Sequence, residues 1–184
     1  ATEIVVADGQ STDRTAEIAQ KLGAKVIKTT NKKMFHINKN LAIDNCHGDW
    51  IFMIDADERV SPELAREILK VVATKPTENG FWVNRRNWFL GGYLKKGGAY
   101  PDSVIRLFRK GRGRLPEKSF HEQVEINGTV GALKSDLLHM ADPTFERYLR
   151  RFDRYTEETA KHFKESNLKK SLGYGLYYLA IKPI

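Results

Sequence analysis

A chain of 184 residues can bury one sizeable core without requiring a second domain. Its 41% hydrophobic and 29% charged content excludes an intrinsically disordered chain; no apolar run approaches the ~18–20 residues that span a bilayer, and no signal peptide is legible. The net charge of +8 and pI near 9.5 favour anionic partners (nucleic acid, an anionic lipid surface or a phosphate-bearing substrate), while the lone Cys46 excludes an intrachain disulfide and suits a reducing compartment.

The chain opens with "ATEIVVADG" directly in a strand pattern and closes with "YYLAIKPI" in mid-pattern, as expected of a piece of a longer protein. Glu3 to Ala7 predicts a short strand ending at Asp8-Gly9. Ser11 and Thr12 offer caps to a helix reading TDRTAEIAQKLG, with Gly23 as its stop. Ala24 to Lys28 reads as a second strand. Phe35 to Cys46 has helical spacing, with Phe35, Asn38, Ala42 and Cys46 expected towards one side. Trp50 to Ile54 is a strand apolar on both faces, hence expected to be central and covered by helices. Ser61-Pro62-Glu63 opens a helix through LAREILKVVA, with an N-cap and Pro in the first turn.

Strands alternating with helices at this spacing predict βαβ units on a parallel sheet. Right-handed crossovers then bring Asp8, Asp55 and Asp57 to one rim, where open α/β sheets bind ligands. The second half reads differently. Gly80 to Leu90 and Ser103 to Arg109 are strand-like around a Gly-rich loop, and Val124–Ile126 with Val130–Leu133 predict a hairpin across Asn127-Gly128. From Thr144 to about Lys164 the pattern is a long, charged amphipathic helix. One domain over 1–143 with a helical tail over 144–184 is expected.

The acids of "DWIFMIDADERV" carry the chemistry. An isolated D-x-D is a weak motif, and solvated strand ends are common. Here an apolar strand precedes it and Asp8 shares the rim. In extended backbone, Asp55 and Asp57 point the same way; such a pair suits a hard divalent cation, Mg²⁺ or Mn²⁺, together with substrate phosphates. Glu58 is expected only to favour the helix after Ser61.

"VVADGQSTDRT", "NKNLAIDNCHGDWIFMIDADE" and "GGAYPDSVIRLFRKGRGRL…FHEQVEINGTVGAL…LLHM" together resemble family 2 glycosyltransferases. The similarity is strongest to small bacterial enzymes that include lipopolysaccharide-core β-glycosyltransferases, and it runs over about Glu3 to Tyr155. The resemblance implies a GT-A type α/β fold, a mixed sheet with helices on both faces. It also implies an inverting transfer of sugar from a nucleotide-diphosphate donor with Mg²⁺ or Mn²⁺. Carried onto this chain, Asp8 contacts the donor base, Asp55 and Asp57 the ribose, diphosphate and metal, and Lys39 faces the donor. Two departures stand out: Asp8-Gly9-Gln10 replaces acid-x-Gly, and the family's first strand, with its T/K-N-E sequence, has no counterpart, which predicts an inactive or poorly folded chain if it is truly missing.

An inverting transfer needs a carboxylate base for the acceptor hydroxyl and positive charge on the leaving diphosphate. Glu122 and Asp102 are the base candidates; Asp102 also fits a turn role, and Glu122 an exposed strand residue. The subgroup's His-Glu pair favours Glu122. His139 matches the late His that supplies a metal ligand in GT-A enzymes, against the commoner structural role of a lone His. Arg106 and Arg109 are spaced to meet one anionic group or to form a solvated basic face; of the two, Arg106 is expected at the donor. Phe81, Trp82, Trp88 and Phe89 fit either the core or, for Trp88, a sugar platform. Arg147, Arg150, Arg151 and Arg154, with Leu172, Tyr174, Leu176, Tyr177, Tyr178 and Leu179 beyond them, fit a solvated face or an anionic membrane.

The expected partners are a nucleotide-sugar donor and a glycan or lipid-linked acceptor, with peripheral contact to the cytoplasmic face of the inner membrane. A basic nucleic-acid-binding module is the main rival, prompted by "FWVNRRNWF". It lacks any known motif, so nucleic acid is not expected. A nucleotidyltransferase is the third reading.

Overall fold

The computed structural model describes residues 1–32, 34–96, 98–117 and 123–165. Strand β1 (Val5–Asp8) pairs in parallel with β2 (Lys25–Lys28) across helix α1 (Thr15–Lys21), so the first βαβ unit forms as its pattern predicts. The helix starts later than expected. Ser11 turns back to Asp8, its N–H donating to Oδ1 at 3.2 Å, and Asp13 Oδ1 accepts from the Thr15 N–H at 2.9 Å. Neither Ser11 nor Thr12 caps it. Gly23 ends it in the left-handed region, with φ of +85° and its N–H on the Gln20 carbonyl at 2.9 Å.

Helix α2 (Phe35–Asp44) buries His36, Asn40 and Ile43 and leaves Phe35 exposed, which overturns the predicted side of Phe35, Asn38, Ala42 and Cys46. The reason is polar pairing. Asn40 donates to the Leu115 carbonyl at 2.9 Å and accepts from the Leu115 N–H at 3.1 Å, and His36 Nδ1 lies 2.8 Å from the Pro116 carbonyl. Buried amide and imidazole groups satisfied this well cost little, and apolar periodicity does not reveal them.

Strand β3 (Trp50–Phe52) is flanked by β4 (Glu58–Val60) and α3 (Pro62–Ala73) in the chain. Ser61 caps α3 as expected, accepting from the Leu64 N–H at 3.1 Å with Pro62 in the first turn. Ser61→Ala is expected to lower stability by about 1 kcal/mol, measurable as an unchanged m-value with a reduced urea midpoint. Leu64 itself is wholly buried.

The remaining strands are β5 (Gly80–Phe89), β6 (Gly92–Tyr93), β7 (Asp102–Arg109), β8 (Gly113–Arg114), β9 (Glu125–Ile126), β10 (Val130–Ala132) and β11 (Leu137–Asp142), before helix α4 (Phe145–Glu165). The larger sheet has the order β3-β7-β5-β11-β4, with β10 and β6 also pairing with β5. It is mixed: β3 is antiparallel to β7 and β10 parallel to β5. Among the described residues β3 stands at the end of this order rather than in the middle. Its apolar run is nonetheless covered on both faces. Ile51 packs with Ile43, Ile105 and Phe108, while Trp50 and Phe52 pack on the cluster of Leu64, Val83, Leu107 and Leu137 with Ile68 and Val72 of α3. The central place goes to β5, and residues 104–108 of the neighbouring β7 are all buried.

The predicted Asn127-Gly128 hairpin does not form. Strand β9 pairs with β8 and β10 with β5, so the turn hands the chain from one partner to another. Asn79 holds it, donating from Nδ2 to the Asn127 carbonyl at 2.7 Å and from its N–H to Thr129 at 2.8 Å. Gly128 has φ of +128°, and a Cβ there would lie 2.1 Å from Asn79 Nδ2.

By contact density the chain divides into two compact units. The first comprises Ala1–Ala56, Val60–Asn84 and Ser103–Leu137. The second comprises Asp57–Arg59, Arg85–Asp102 and the described residues from Leu138 onwards. No helix among the described residues is long and apolar enough to cross a membrane.

Candidate active site

In the first unit, β1 ends on Asp8, which is buried and accepts from both the N–H and the hydroxyl of Ser11. Gly9 follows against α2; a Cβ there would sit 3.2 Å from Asn38 Nδ2, so the turn after Asp8 requires a close backbone approach. Asp55 lies beyond the end of β3 between two cations. Lys39 of α2 meets its Oδ1, and Arg106 of β7 meets Oδ2 at 2.6 Å. Asp55 therefore contacts two of the other residues expected at the donor. Burial by itself pushes the Asp55 carboxyl up, but the charges of Arg106 and Lys39 together outweigh it and hold Asp55 below the usual carboxylate range.

Arg106 and Arg109 do not share a target. Residues three apart on a strand face opposite sides. Arg109 donates to the Glu78 carbonyl at 3.3 Å and lies over the Trp50 ring at 4.6 Å, a structural role at the far end of β7.

Asp57 was expected to align with Asp55 in extended backbone. The chain instead turns at Ala56-Asp57, and the two carboxylates acquire separate partners. In the second unit, Asp57 Oδ1 lies 3.6 Å from His139 Nε2 of β11, and Oδ2 lies 3.3 Å from Arg147 of α4. His139 Nδ1 contacts Asn87 Oδ1 of β5 at 2.6 Å. Asp102 Oδ2 receives Arg85 Nε at 3.0 Å, the second Arg85 nitrogen at 2.8 Å and Asn87 Nδ2 at 3.0 Å. Glu58 is buried on β4, 3.7 Å from Arg85. It is not a helix-start residue, as its sequence position suggested.

Glu122 lies outside the described residues, as do Leu172, Tyr174, Leu176, Tyr177, Tyr178 and Leu179. Arg85, Asn87 and Arg147 were missed as members of this cluster. Arg85 and Asn87 do carry a signal: their period-two spacing puts both on one face of β5. Trp88 packs edge-on against Tyr93 at 5.0 Å, and Phe81 belongs to the core. A cavity of about 800 Å³ lined by Ile43, Asp44, Lys110, Arg112 and Glu125 lies by the Arg109 end of β7 and includes none of the donor-site residues.

Among the described residues no group of three His, Cys, Asp or Glu side chains converges. Asp57 Oδ1 and His139 Nε2 suit a divalent cation: two ligands each about 2.1 Å from one ion stand about 3 Å apart or slightly more. With Nδ1 on Asn87, Nε2 of His139 faces the Asp57 carboxylate, whose other oxygen meets Arg147.

Residues 1–137 match the model of glycosyl transferase family 2. The chain belongs to that family. This family 2 chain is 31% identical over 176 residues to the lipopolysaccharide core biosynthesis glycosyltransferase LpsC of Rhizobium meliloti, covering 89% of this chain and 63% of LpsC. It is 27% identical over 179 residues to an uncharacterised glycosyltransferase of Rickettsia typhi, covering 91% and 61% of the two chains. Family 2 chain and solved structure also agree in fold: S. aureus TarS superposes with a TM-score of 0.56 at 14% identity, over 76% of this chain and 51% of TarS. The GT-A type α/β fold expected from the motifs is the fold observed. The chain spans 61% and 63% of the length of these two curated relatives.

Proposed function

We propose that this chain is the catalytic part of an inverting glycosyltransferase. It moves a sugar from a nucleotide-diphosphate donor to a saccharide or lipid-linked acceptor in cell-envelope glycan synthesis, with Mg²⁺ or Mn²⁺ at Asp57 and His139. The observation that carries this reading is the approach of His139 Nε2 to Asp57 Oδ1 at 3.6 Å. Family membership and the wording of the LpsC name support the reaction class.

A divalent cation at these two ligands would neutralise the diphosphate as it leaves. Within the first unit, Asp55 holds Lys39 and Arg106, cations of the kind that meet a phosphate-bearing donor. Because Lys39 and Arg106 occupy the two oxygens of Asp55, the cation is assigned to Asp57 and His139, and Asp55 to orienting the donor contacts. Asp8, already bound on one oxygen by Ser11, contacts the base. Glu122 is the preferred general base. Asp102 is the weaker candidate, because one of its oxygens already accepts three hydrogen-bond contacts from Arg85 and Asn87.

The helical tail is assigned to the acceptor side, resting on the cytoplasmic face of the inner membrane. Phe145, Leu149, Phe152 and Tyr155 of α4 are exposed, with Arg147, Arg150, Arg151 and Arg154 on its flank. The decisive experiment is calorimetry with UDP, GDP, CDP and ADP, with and without Mn²⁺. One of them is expected to bind at least tenfold more tightly with the ion; equal binding of all four in both conditions would sink the cation assignment.

A further inference from the structure

Behind His139 lies a continuous polar chain that the proposed reaction does not by itself require. We propose that Asn87 and Asp102 are positioning residues that lock His139 in the tautomer protonated on Nδ1, leaving the Nε2 lone pair for the cation. This rests on the reading of His139 as a cation ligand.

The lock begins with the Asn87 amide. Its Nδ2 donates to Asp102 Oδ2 at 3.0 Å and to the Ala99 carbonyl at 3.3 Å, two groups that only accept. Turning the amide over would place its oxygen against both of them. Asn87 Oδ1 is therefore committed to the His139 side, and because it cannot donate, the 2.6 Å contact requires a proton on Nδ1. Asp102 is held in turn by Arg85 through Nε at 3.0 Å and a terminal nitrogen at 2.8 Å. Arg85 also reaches the wholly buried side chain of Glu58 at 3.7 Å.

Rigid elements carry every member. Arg85 and Asn87 project from one face of β5, Asp102 opens β7, Glu58 opens β4 and His139 sits in β11. Such outer groups orient a metal-binding imidazole and raise its basicity, and their loss commonly costs 10–100-fold in metal affinity. On this inference Asp102 acts through Asn87 and His139 rather than on the acceptor.

The test combines ¹H–¹⁵N spectra of the imidazole rings with Mn²⁺ titration followed by electron paramagnetic resonance, on the whole chain. Neutral His139 is expected almost entirely as the Nδ1–H form. Asn87→Leu should give mixed tautomers and weaken Mn²⁺ roughly 10–100-fold, while Asn87→Asp, which keeps an acceptor for Nδ1–H, should restore the Nδ1–H form. Asp102→Ala, which removes the shorter of the two contacts that orient the Asn87 amide, should shift tautomer and affinity in the same direction if Asn87→Leu does not fold. An Asn87→Leu protein with the wild-type tautomer and affinity would overturn the positioning role. His139→Ala binding Mn²⁺ as tightly as wild type would instead overturn the cation reading, whatever the tautomer.

Discussion

Asp57→Ala is expected to abolish Mn²⁺-dependent nucleoside diphosphate binding and to slow sugar transfer by roughly 10²–10³-fold, the usual loss when one directed group on a developing charge is removed. The side chain is a third exposed and lies on a turn, so the fold should tolerate its removal within about 0.5 kcal/mol. The backbone carbonyl of Asp57, which accepts from the Met140 N–H at 2.7 Å, is untouched by the change. His139→Ala should copy the binding defect, and the double variant should be no worse than either single one, because both remove the same ion. Calorimetry with the nucleotide that responds to Mn²⁺ in the wild type measures all three. Additive losses would mean that Asp57 and His139 act on different groups.

The largest stability effect is expected from Arg106→Met. The guanidinium is almost wholly buried, and Asp55 beside it is largely so. Removing one partner of a buried pair costs about 3–5 kcal/mol; since Lys39 still meets Asp55, about 3 kcal/mol is expected at neutral pH. The pH dependence has a definite sign. Asp55 is held below its ordinary carboxylate range in the folded protein, so its contribution is fully present above about pH 4 and is lost as pH falls through the lowered value. With Arg106 gone, burial pushes that carboxyl up, and protonation relieves the cost. The gap between wild type and variant should narrow as pH falls below about 4. Urea unfolding at pH 7 and pH 3.5 measures it, and a gap that stays constant would mean that the Asp55–Arg106 pair does not control stability. Asp55→Asn combined with Arg106→Met should recover part of the loss.

Some of this was legible because it depends on neighbours in the chain. The first βαβ unit, the Ser61 cap and the Gly23 stop are decided within a few residues. Elsewhere local pattern misled. Asn40 and His36 look like surface positions of α2, yet they are buried because the backbone at Leu115 and Pro116, some 75–80 residues away, satisfies them. Asn127-Gly128 reads as a hairpin turn, but Asn79 redirects it and each flanking strand finds a different partner. Glu58 reads as a solvated acid before a helix, whereas Arg85 makes its burial tolerable.

The run from Trp50 to Asp57 holds both lessons. From the chain alone follow an apolar segment ending in acids, the kinship of its motifs with family 2, and hence the GT-A fold, since these need only residue types in order. Tertiary structure decided what each acid contacts. A turn at Ala56-Asp57 replaces the extended backbone in which the two carboxylates were expected to align. Asp55 goes to Lys39 and Arg106, and Asp57 to His139 and Arg147. Carboxylates take their roles from the cations and donors around them, and those arrive from strands and helices far away in the chain.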